Sequence, residues 1–368
     1  MRQLTIHDQG QPIYPIYLTD DFASLGKAVS ALNPKGRKIC IVSESHVAPL
    51  YLDTVKANLA PVCGLVTSFV FEAGEGRKNL DTVQDLYEHL VEEHYERGDV
   101  LAALGGGVTG DLTGFAAATY MRGMRFIQIP TSLLAQVDSS IGGKTGVDFR
   151  ACKNMVGAFH HPSLVYANVQ TLHSLTEREY ISGLGEIIKH GLIKDKAYYE
   201  WLKANREAIL AQDPSVMTEM IFRSCKIKQE VVENDPREQG ERALLNFGHT
   251  LGHAIEKLKD FSLLHGECVA IGMTGAARLS ASRSMISTSD LEEIVQTLQD
   301  FKLPVRTDRL TAEITAETTL SDKKMNKGRI RFILLESIGR AVIRDDLTMD
   351  EITDAAAFCL VKGAEEDR

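Results

Sequence analysis

Between Lys38 and Pro130 the sequence alternates short apolar runs with amphipathic stretches, and this rhythm restricts the fold more than any other feature. Lys38–Ser43, Gly64–Phe71, Asp99–Leu104 and Arg125–Pro130 read as buried strands. His46–Leu59, Asn79–Arg97 (with Gly98 after its end) and an Ala-rich run ending near Tyr120 read as helices between them. Strands that alternate with helices imply a mostly parallel sheet covered by helices on both faces. The first residues, MRQLTIHDQGQPIYPIYL, alternate polar and apolar side chains and read as strands; they lack the apolar core of a signal peptide. From about Thr176 the rhythm changes. Glu177–Ile193, Lys196–Ala211, Pro214–Asn234, Asn246–Leu258, Gly266–Arg283 and Ser289–Phe301 read as helices, Lys324–Leu334 and Arg340–Ile343 as a small hairpin, and Asp350–Val361 as a last helix. The expectation is an α/β unit over 1–175 and a mostly helical unit over 176–368, divided near Leu172–Glu179.

Composition excludes several classes. The 368 residues are 44% hydrophobic and 25% charged, the balance of a globular protein. No apolar run reaches 18 residues, so no membrane-spanning helix is expected. The six cysteines are scattered, with no CxxC pair and no disulfide framework, which suits a reducing cytoplasm. A net charge of −9 argues against general nucleic-acid binding but leaves room for an anionic small molecule held by a few focused cations.

Five stretches carry chemistry. Gly105-Gly-Gly-Val-Thr-Gly-Asp111 follows a strand and opens a helix, where free backbone N–H groups and missing Cβ atoms favour a pyrophosphate. Its spacing is not the full G-x-G-x-x-G, and Asp111 suits ribose hydroxyls better than phosphate. Gly74-Glu-Gly-Arg-Lys78 is a second polar turn after a strand. Gly142-Gly-Lys-Thr145 imitates a P-loop, but Asp138 stands where the Walker pattern needs its first glycine. What remains is a polar loop from Asp138 to Asn154 with Lys144 and Lys153, the composition of an anion site. Arg242–Glu267 contains His249 and His253, four apart and therefore on one helical face, and His265. On one continuous helix His249 and His265 would be about 24 Å apart at ~1.5 Å per residue. They share an ion only if the helix ends near Lys259–Ser262. The spacing is equally that of a structural helix with satisfied or surface histidines. Glu186, Lys189 and His190 share a face of an earlier helix, which by itself reads as a surface ion pair.

Taken together the blocks GGGVTGDLTGFAAATYMRG, RFIQIPTSLLAQVDSSIGGKTGVD, KNMVGAF, SGLGEIIKHGLI, RALLNFGHTLGHAIE and HGECVAIGM, in this order and spacing, resemble the signature of the 3-dehydroquinate synthases within the sugar-phosphate cyclases. The resemblance spans roughly Glu44 to Lys324. It implies a Rossmann-like parallel-sheet NAD-binding domain followed by a helical metal-binding domain, with the active site in the cleft between them. It also implies a substrate, 3-deoxy-D-arabino-heptulosonate 7-phosphate, converted to 3-dehydroquinate and phosphate at the second step of the shikimate pathway. NAD+ is consumed and regenerated in one turnover: oxidation at C5 acidifies the C6 proton, phosphate leaves, hydride returns, the ring opens and an aldol step closes the carbocycle.

Residue by residue, the resemblance assigns one divalent ion, zinc or cobalt, to Glu186, His249 and His265. It assigns the substrate phosphate to Lys144, Asn154, His253 and Lys324 (with Lys323 the alternative), joined by Arg122 from a neighbouring subunit of a homodimer. Lys228 and Arg242 take the substrate carboxylate; Asp138, Lys189 and Asn246 take hydroxyls or support the intermediate. NAD+ falls to Glu44, Glu75, Lys78, Gly106, Gly107, Val108 and Asp111, with Lys153 nearby. His190 receives no role. The chain departs from the family at Glu44, where Asp is frequent, and at Asp148 and Cys152, where Asn and Gly are frequent. The rival readings are sister cyclases acting on sedoheptulose 7-phosphate or glucose 6-phosphate, which lack a carboxylate for Lys228 and Arg242; a metal-dependent NAD polyol dehydrogenase, which releases NADH; and a non-catalytic NAD- or zinc-binding regulator.

Overall fold

The computed structural model describes residues 1–150, 152–320, 325–326 and 329–361. The chain divides into two compact units: Met1–Leu175 together with Lys228–Pro236, and Thr176–Ile227 together with the chain from Arg237 on.

The first unit is built from β1 (Arg2–Asp8), β2 (Gln11–Thr19), α1 (Leu25–Ser30), β3 (Lys38–Glu44), α2 (Ala48–Leu59), β4 (Leu65–Phe71), α3 (Leu80–Glu92), β5 (Val100–Gly105), α4 (Gly107–Thr119), β6 (Arg125–Pro130), β7 (Lys144–Phe149), β8 (Cys152–Phe159) and β9 (Val165–Asn168). Seven strands form one sheet in the order β1-β2-β9-β6-β5-β3-β4, parallel except for β1 against β2. The period of two along each strand sorts its side chains onto two cores. Ile39, Ile41, Ala102, Leu104, Ile127 and Ile129 pack with Leu25, Val29, Val55 and Leu59 of α1 and α2. Cys40, Val42, Leu101 and Phe126 pack on the other face with Val83, Leu86, Leu112 and Phe115 of α3 and α4. Both faces are covered, which is why these strands read as continuous apolar runs.

Helix α3 stops at Glu92, earlier than the pattern to Arg97 suggests. His94 takes a left-handed φ of 54°, and the Tyr95 amide closes back on the Leu90 carbonyl at 2.8 Å. The turn sends the Tyr95 ring into the core, where its hydroxyl meets Thr67 Oγ1 at 2.7 Å. The stretch read as a polar loop from Asp138 to Asn154 is also more ordered: a π-helical turn at Ala135–Ser139 leads into the antiparallel β7–β8 hairpin, with Lys144 opposite Phe159. Val147 of this hairpin is buried in the second core, and that burial favours strands over an open loop.

The second unit contains α5 (Glu177–Lys194), α6 (Lys196–Ala204), α7 (Arg206–Leu210), α8 (Pro214–Asn234), α9 (His249–Leu258), α10 (His265–Ser282), α11 (Thr288–Asp300) and α12 (Ala312–Thr319). Short β10 (Met325–Asn326) and β11 (Arg329–Ile330), the hairpin β12 (Phe332–Ser337) and β13 (Arg340–Arg344), and α13 (Met349–Phe358) complete it. The last residues of α8 group with the first unit, where Gln229 Nε2 donates to the Thr5 carbonyl at 2.7 Å and Glu233 accepts from the His7 amide at 2.8 Å. Helix α5 starts on a reciprocal cap, Thr176 with Glu179. The expected helix Lys196–Ala211 breaks at Asn205, and the expected hairpin of Lys324–Leu334 with Arg340–Ile343 is present as β12 and β13, its first strand beginning at Phe332. A core of Leu251, Ile255, Ile271, Leu279, Phe332, Leu334, Ile352 and Ala355 joins α9, α10, β12 and α13. Among the described residues no helix is long and apolar enough to cross a membrane.

Arg283 at the end of α10 grips Glu351 of α13, Nε to Oε1 at 2.7 Å and Nη2 to Oε2 at 2.9 Å. The guanidinium, with the Thr348 amide at the helix start, holds the Glu351 carboxyl down at about 2. A lowered carboxyl stabilises the fold above its unfolded value near 4.5 and loses that contribution as pH falls toward about 2. Glu351→Gln should therefore melt below the wild type at pH 7, and the gap should close as melting curves are taken from pH 4.5 downward; a gap unchanged across that range would refute the assignment.

Candidate active site

Three helices of the second unit converge on one carboxylate. Glu186 is fully buried on α5. One of its oxygens, Oε2, accepts a short hydrogen bond from the Lys189 ammonium, one turn on. The other, Oε1, is buried with no hydrogen-bond partner among the described residues. Two imidazoles face it: His249 Nε2 at 3.6 Å and His265 Nε2 at 3.8 Å. His249 opens α9 and His265 opens α10, so the helix break that a shared ion would need is present between Leu258 and His265.

The arrangement fits a divalent cation. Donor atoms of the three residues lie within 4.8 Å of one another. Ligands bonded at ~2.1 Å in a tetrahedron are roughly 3.4 Å apart, close to the observed spacings. The His249 Nδ1 lies 3.2 Å from the Phe247 carbonyl. Donation to that carbonyl leaves the Nε2 lone pair on the carboxylate side, the usual device for orienting a ligating imidazole. His265 Nδ1 sits 3.8 Å from the buried Glu256, a residue the sequence reading did not single out. His253 is close to both other rings, with centroids 5.2 Å from His249 and 5.8 Å from His265. It belongs to a second donor group with Glu256 and His265. The unpartnered Glu186 oxygen favours the first group, because a buried carboxylate oxygen left without a donor or cation is costly.

Close backbone approach makes this convergence possible. A Cβ on Gly266 would fall 1.9 Å from the Ser182 carbonyl of α5, and one on Gly272 would fall 1.9 Å from the Gly248 carbonyl. Gly248 also has φ of +80°, which turns the chain from the Glu241–Asn246 3-10 turn into α9. Asn246, expected at the start of the helix, lies in that turn instead, and its side-chain amide donates to Glu238 Oε1 at 2.9 Å. Glu238 is another residue that sequence reading missed. Arg242 is buried in the same turn. His190 is buried on α5, its Nδ1 3.2 Å from Ser224 Oγ. Ser224 Oγ is 3.1 Å from the Tyr198 hydroxyl, which donates to the Met220 carbonyl.

The first unit gathers the other candidates. Gly106 stands before α4 without a side-chain cap, so the amides of Gly107, Val108 and Thr109 begin the helix without intrahelical partners. Lys78 Nζ donates to Asp111 at 2.7 Å and to Asn154 Oδ1 at 2.6 Å. Burial by itself would weaken the ammonium, but Asp111 and Glu75 outweigh it and hold Lys78 above the ordinary lysine range. Lys153 Nζ lies 3.6 Å from Glu75. Asn154 has φ of +49°, and its amide donates to Asp148 Oδ1 at 2.7 Å. The family departure at Asp148 thus has a structural use: its carboxylate holds the turn that presents Asn154 to Lys78.

Lys228 Nζ, from the end of α8, donates to both the backbone and the carboxylate of Asp138, each at 2.6 Å. Glu44 ends β3 and accepts the His46 and Val47 amides at 2.7 and 2.9 Å. Lys144 begins β7 at the surface. Arg122 is exposed in a left-handed turn, φ of +65°. Lys323 and Lys324 lie outside the described residues.

This pairing of a parallel-sheet unit with a helical unit places the chain in the architecture of the carbocycle-forming synthases. It is similar to the solved structure of 2-epi-5-epi-valiolone synthase from Streptomyces hygroscopicus with NAD+ and Zn2+ bound: TM-score 0.87, 28% identity, over 94% of this chain and 96% of that one. Profiles of the 3-dehydroquinate synthase N-terminal and C-terminal regions match residues 68–182 and 183–325. The chain is 45% identical to the 3-dehydroquinate synthase of Acidithiobacillus ferrooxidans over 358 residues, 96% of this chain and 97% of that protein. It is 44% identical to that of Acetivibrio thermocellus over 321 residues, 87% and 89% of the two chains. The chain belongs to the 3-dehydroquinate synthase family.

The glycine contacts make a direct prediction. Gly266→Ala must part α5 from α10 and should cost about 1–3 kcal/mol in chemical denaturation, the usual range for overpacking. Gly76→Ala, whose Cβ meets nothing within 4 Å, should cost far less. Equal losses would remove the close-approach argument.

Proposed function

We propose that this chain is a 3-dehydroquinate synthase, converting 3-deoxy-D-arabino-heptulosonate 7-phosphate to 3-dehydroquinate and phosphate with NAD+ and one divalent ion, Zn2+ or Co2+. The reaction is a carbon–oxygen elimination followed by ring closure at the second step of the shikimate pathway. The observation that carries this reading is the unpartnered Glu186 Oε1 facing His249 and His265, in a chain 45% identical to a synthase of that name along nearly its whole length.

Glu186, His249 and His265 hold the ion. An ion held there would supply Lewis acidity to the substrate oxygen at C5. The amides of Gly106, Gly107 and Val108 would hold the pyrophosphate of NAD+, with Glu44, Glu75, Lys78, Asp111 and Lys153 for its other polar groups; the cofactor would supply a reversible hydride acceptor. Arg242 offers a planar two-pronged grip on the substrate carboxylate, and Lys228 adds a second cation. Asn246, anchored by Glu238, and Lys189, anchored by Glu186, orient substrate hydroxyls. Asp138 holds Lys228 in place until substrate competes for the ammonium.

Lys144, Asn154, His253 and Lys324 bind the phosphate. By concentrating positive charge and N–H donors there, they stabilise it as a leaving group while it takes the C6 proton itself. The protein's contribution is orientation and charge stabilisation more than proton transfer by a dedicated base. Arg122, exposed in its turn, serves the phosphate site of a neighbouring copy; the assembly is a homodimer, and the setting is the cytoplasm.

Purified protein with NAD+ and Zn2+ or Co2+ should release inorganic phosphate from 3-deoxy-D-arabino-heptulosonate 7-phosphate with no net NADH, and should be far slower with sedoheptulose 7-phosphate. Steady NADH accumulation without phosphate would mark a dehydrogenase instead. His265→Ala should lose the metal, whereas His253→Ala should keep it and lose turnover; equal metal loss in both variants would transfer the ligand role to the pair four residues apart.

A further inference from the structure

Helix α5 meets the first turn of α10 along one row of its surface. Arg178, Ser182 and Glu186 are four apart and share that row. Each touches one of three successive residues of α10, in order. Arg178 donates Nε to Glu267 Oε1 and Nη2 to Glu267 Oε2, both at 2.7 Å. Ser182 Oγ accepts the Gly266 amide at 3.1 Å. Glu186 Oε1 lies 3.8 Å from His265 Nε2. Glu267 Oε2 also accepts the Leu264 amide at 2.7 Å, and Arg178 Nη2 reaches the Ser262 carbonyl at 3.0 Å. The carboxylate that receives Arg178 therefore also closes the turn from which His265 projects.

We propose that the Arg178–Glu267 fork, acting with Ser182, is a positioning device that sets the separation of Glu186 from His265 and so the affinity for the divalent ion; this rests on the metal reading given above. Arg178 is two helical turns from Glu186, about 12 Å along the axis at ~1.5 Å per residue, so it cannot itself be a ligand. A partly exposed ion pair adds little to stability. A two-pronged guanidinium–carboxylate contact nevertheless fixes distance and angle together. Metal donors need placement to within roughly 0.5 Å. The Ser182 contact resists sliding one turn closer to the site. The close approach of Gly266 to the Ser182 carbonyl lets the two helices sit near enough for all three contacts to form at once.

The test is a competition titration of Zn2+-loaded protein with a chromophoric chelator, at a temperature well below every variant's melting point. Arg178→Ala, Arg178→Lys and Glu267→Gln should bind Zn2+ about ten-fold or more weakly, the range seen when a partner outside the ligand shell is lost. Lysine keeps the charge but not the fork, so its failure to rescue affinity separates geometry from charge. Lys302→Ala serves as the control: Lys302 pairs with Glu177 of α5 at 2.5 Å, an ion pair that involves no α10 residue, and its loss should leave Zn2+ affinity unchanged. Wild-type affinity in both Arg178→Ala and Glu267→Gln, or a loss no larger than that of Lys302→Ala, overturns the positioning role. Wild-type affinity in Glu186→Ala overturns the metal reading itself.

Discussion

The contact on which the second unit depends is the approach of two backbones, Gly266 on α10 against the Ser182 carbonyl on α5. No other residue has room there, so helix spacing at that point is fixed by the absence of a side chain. The three proposed ligands each sit beside a glycine: Gly185 precedes Glu186, Gly248 precedes His249, and Gly266 follows His265. Cβ atoms on Gly185 and Gly248 would meet the Gly266 carbonyl and the Val269 carbonyl at 2.8 Å. Backbone packing thus sets how near the helices that carry the donors can come, and contacts along the helices are left to set where the donors point.

The second organising feature is buried charge. Lys189 on Glu186, Lys78 on Asp111 and Lys228 on Asp138 are all largely removed from water. Such pairs seldom repay their desolvation in stability, and apolar replacements of similar volume are often as stable or more so. Their retention makes sense where a ligand later shares the charge. Lys78 is held protonated by Asp111 and Glu75 and touches Asn154 at the same time, so a change at one of these groups is felt by the others. Asp138 likewise receives Lys228 Nζ on both its backbone and its carboxylate oxygen, the contact that the substrate carboxylate would share in the proposed function.

Local patterns disclosed the fold well, because both faces of the sheet are covered and its strands carry unbroken apolar runs. The errors fell where a single residue decides. A left-handed His94 ended α3 early, and nothing in the helical period of Asn79–Arg97 announces it. Burial of Val147 turned an apparent loop into a hairpin. The histidine cluster shows the reach of spacing most clearly. His249 and His253 were visible as a pair, and the break before His265 was visible in the polar residues after Leu258. That Glu186 completes the set became readable only through the family's blocks, because the partners lie on separate helices. Arg178 with Glu267 and Ser182 with Gly266 are 89 and 84 positions apart, and no periodicity connects them. Glu256 and Glu238 read as ordinary helix and turn carboxylates until their neighbours are seen.

The central claim is that one divalent ion is held by Glu186, His249 and His265, with His253 left for the substrate. An anomalous-difference map collected at the zinc edge from crystals of the Zn2+-loaded protein tests it most directly. The account predicts one strong peak bonded to a Glu186 oxygen and to Nε2 of both His249 and His265. A peak bonded instead to His253, Glu256 and His265, with Glu186 still occupied only by Lys189, would contradict it.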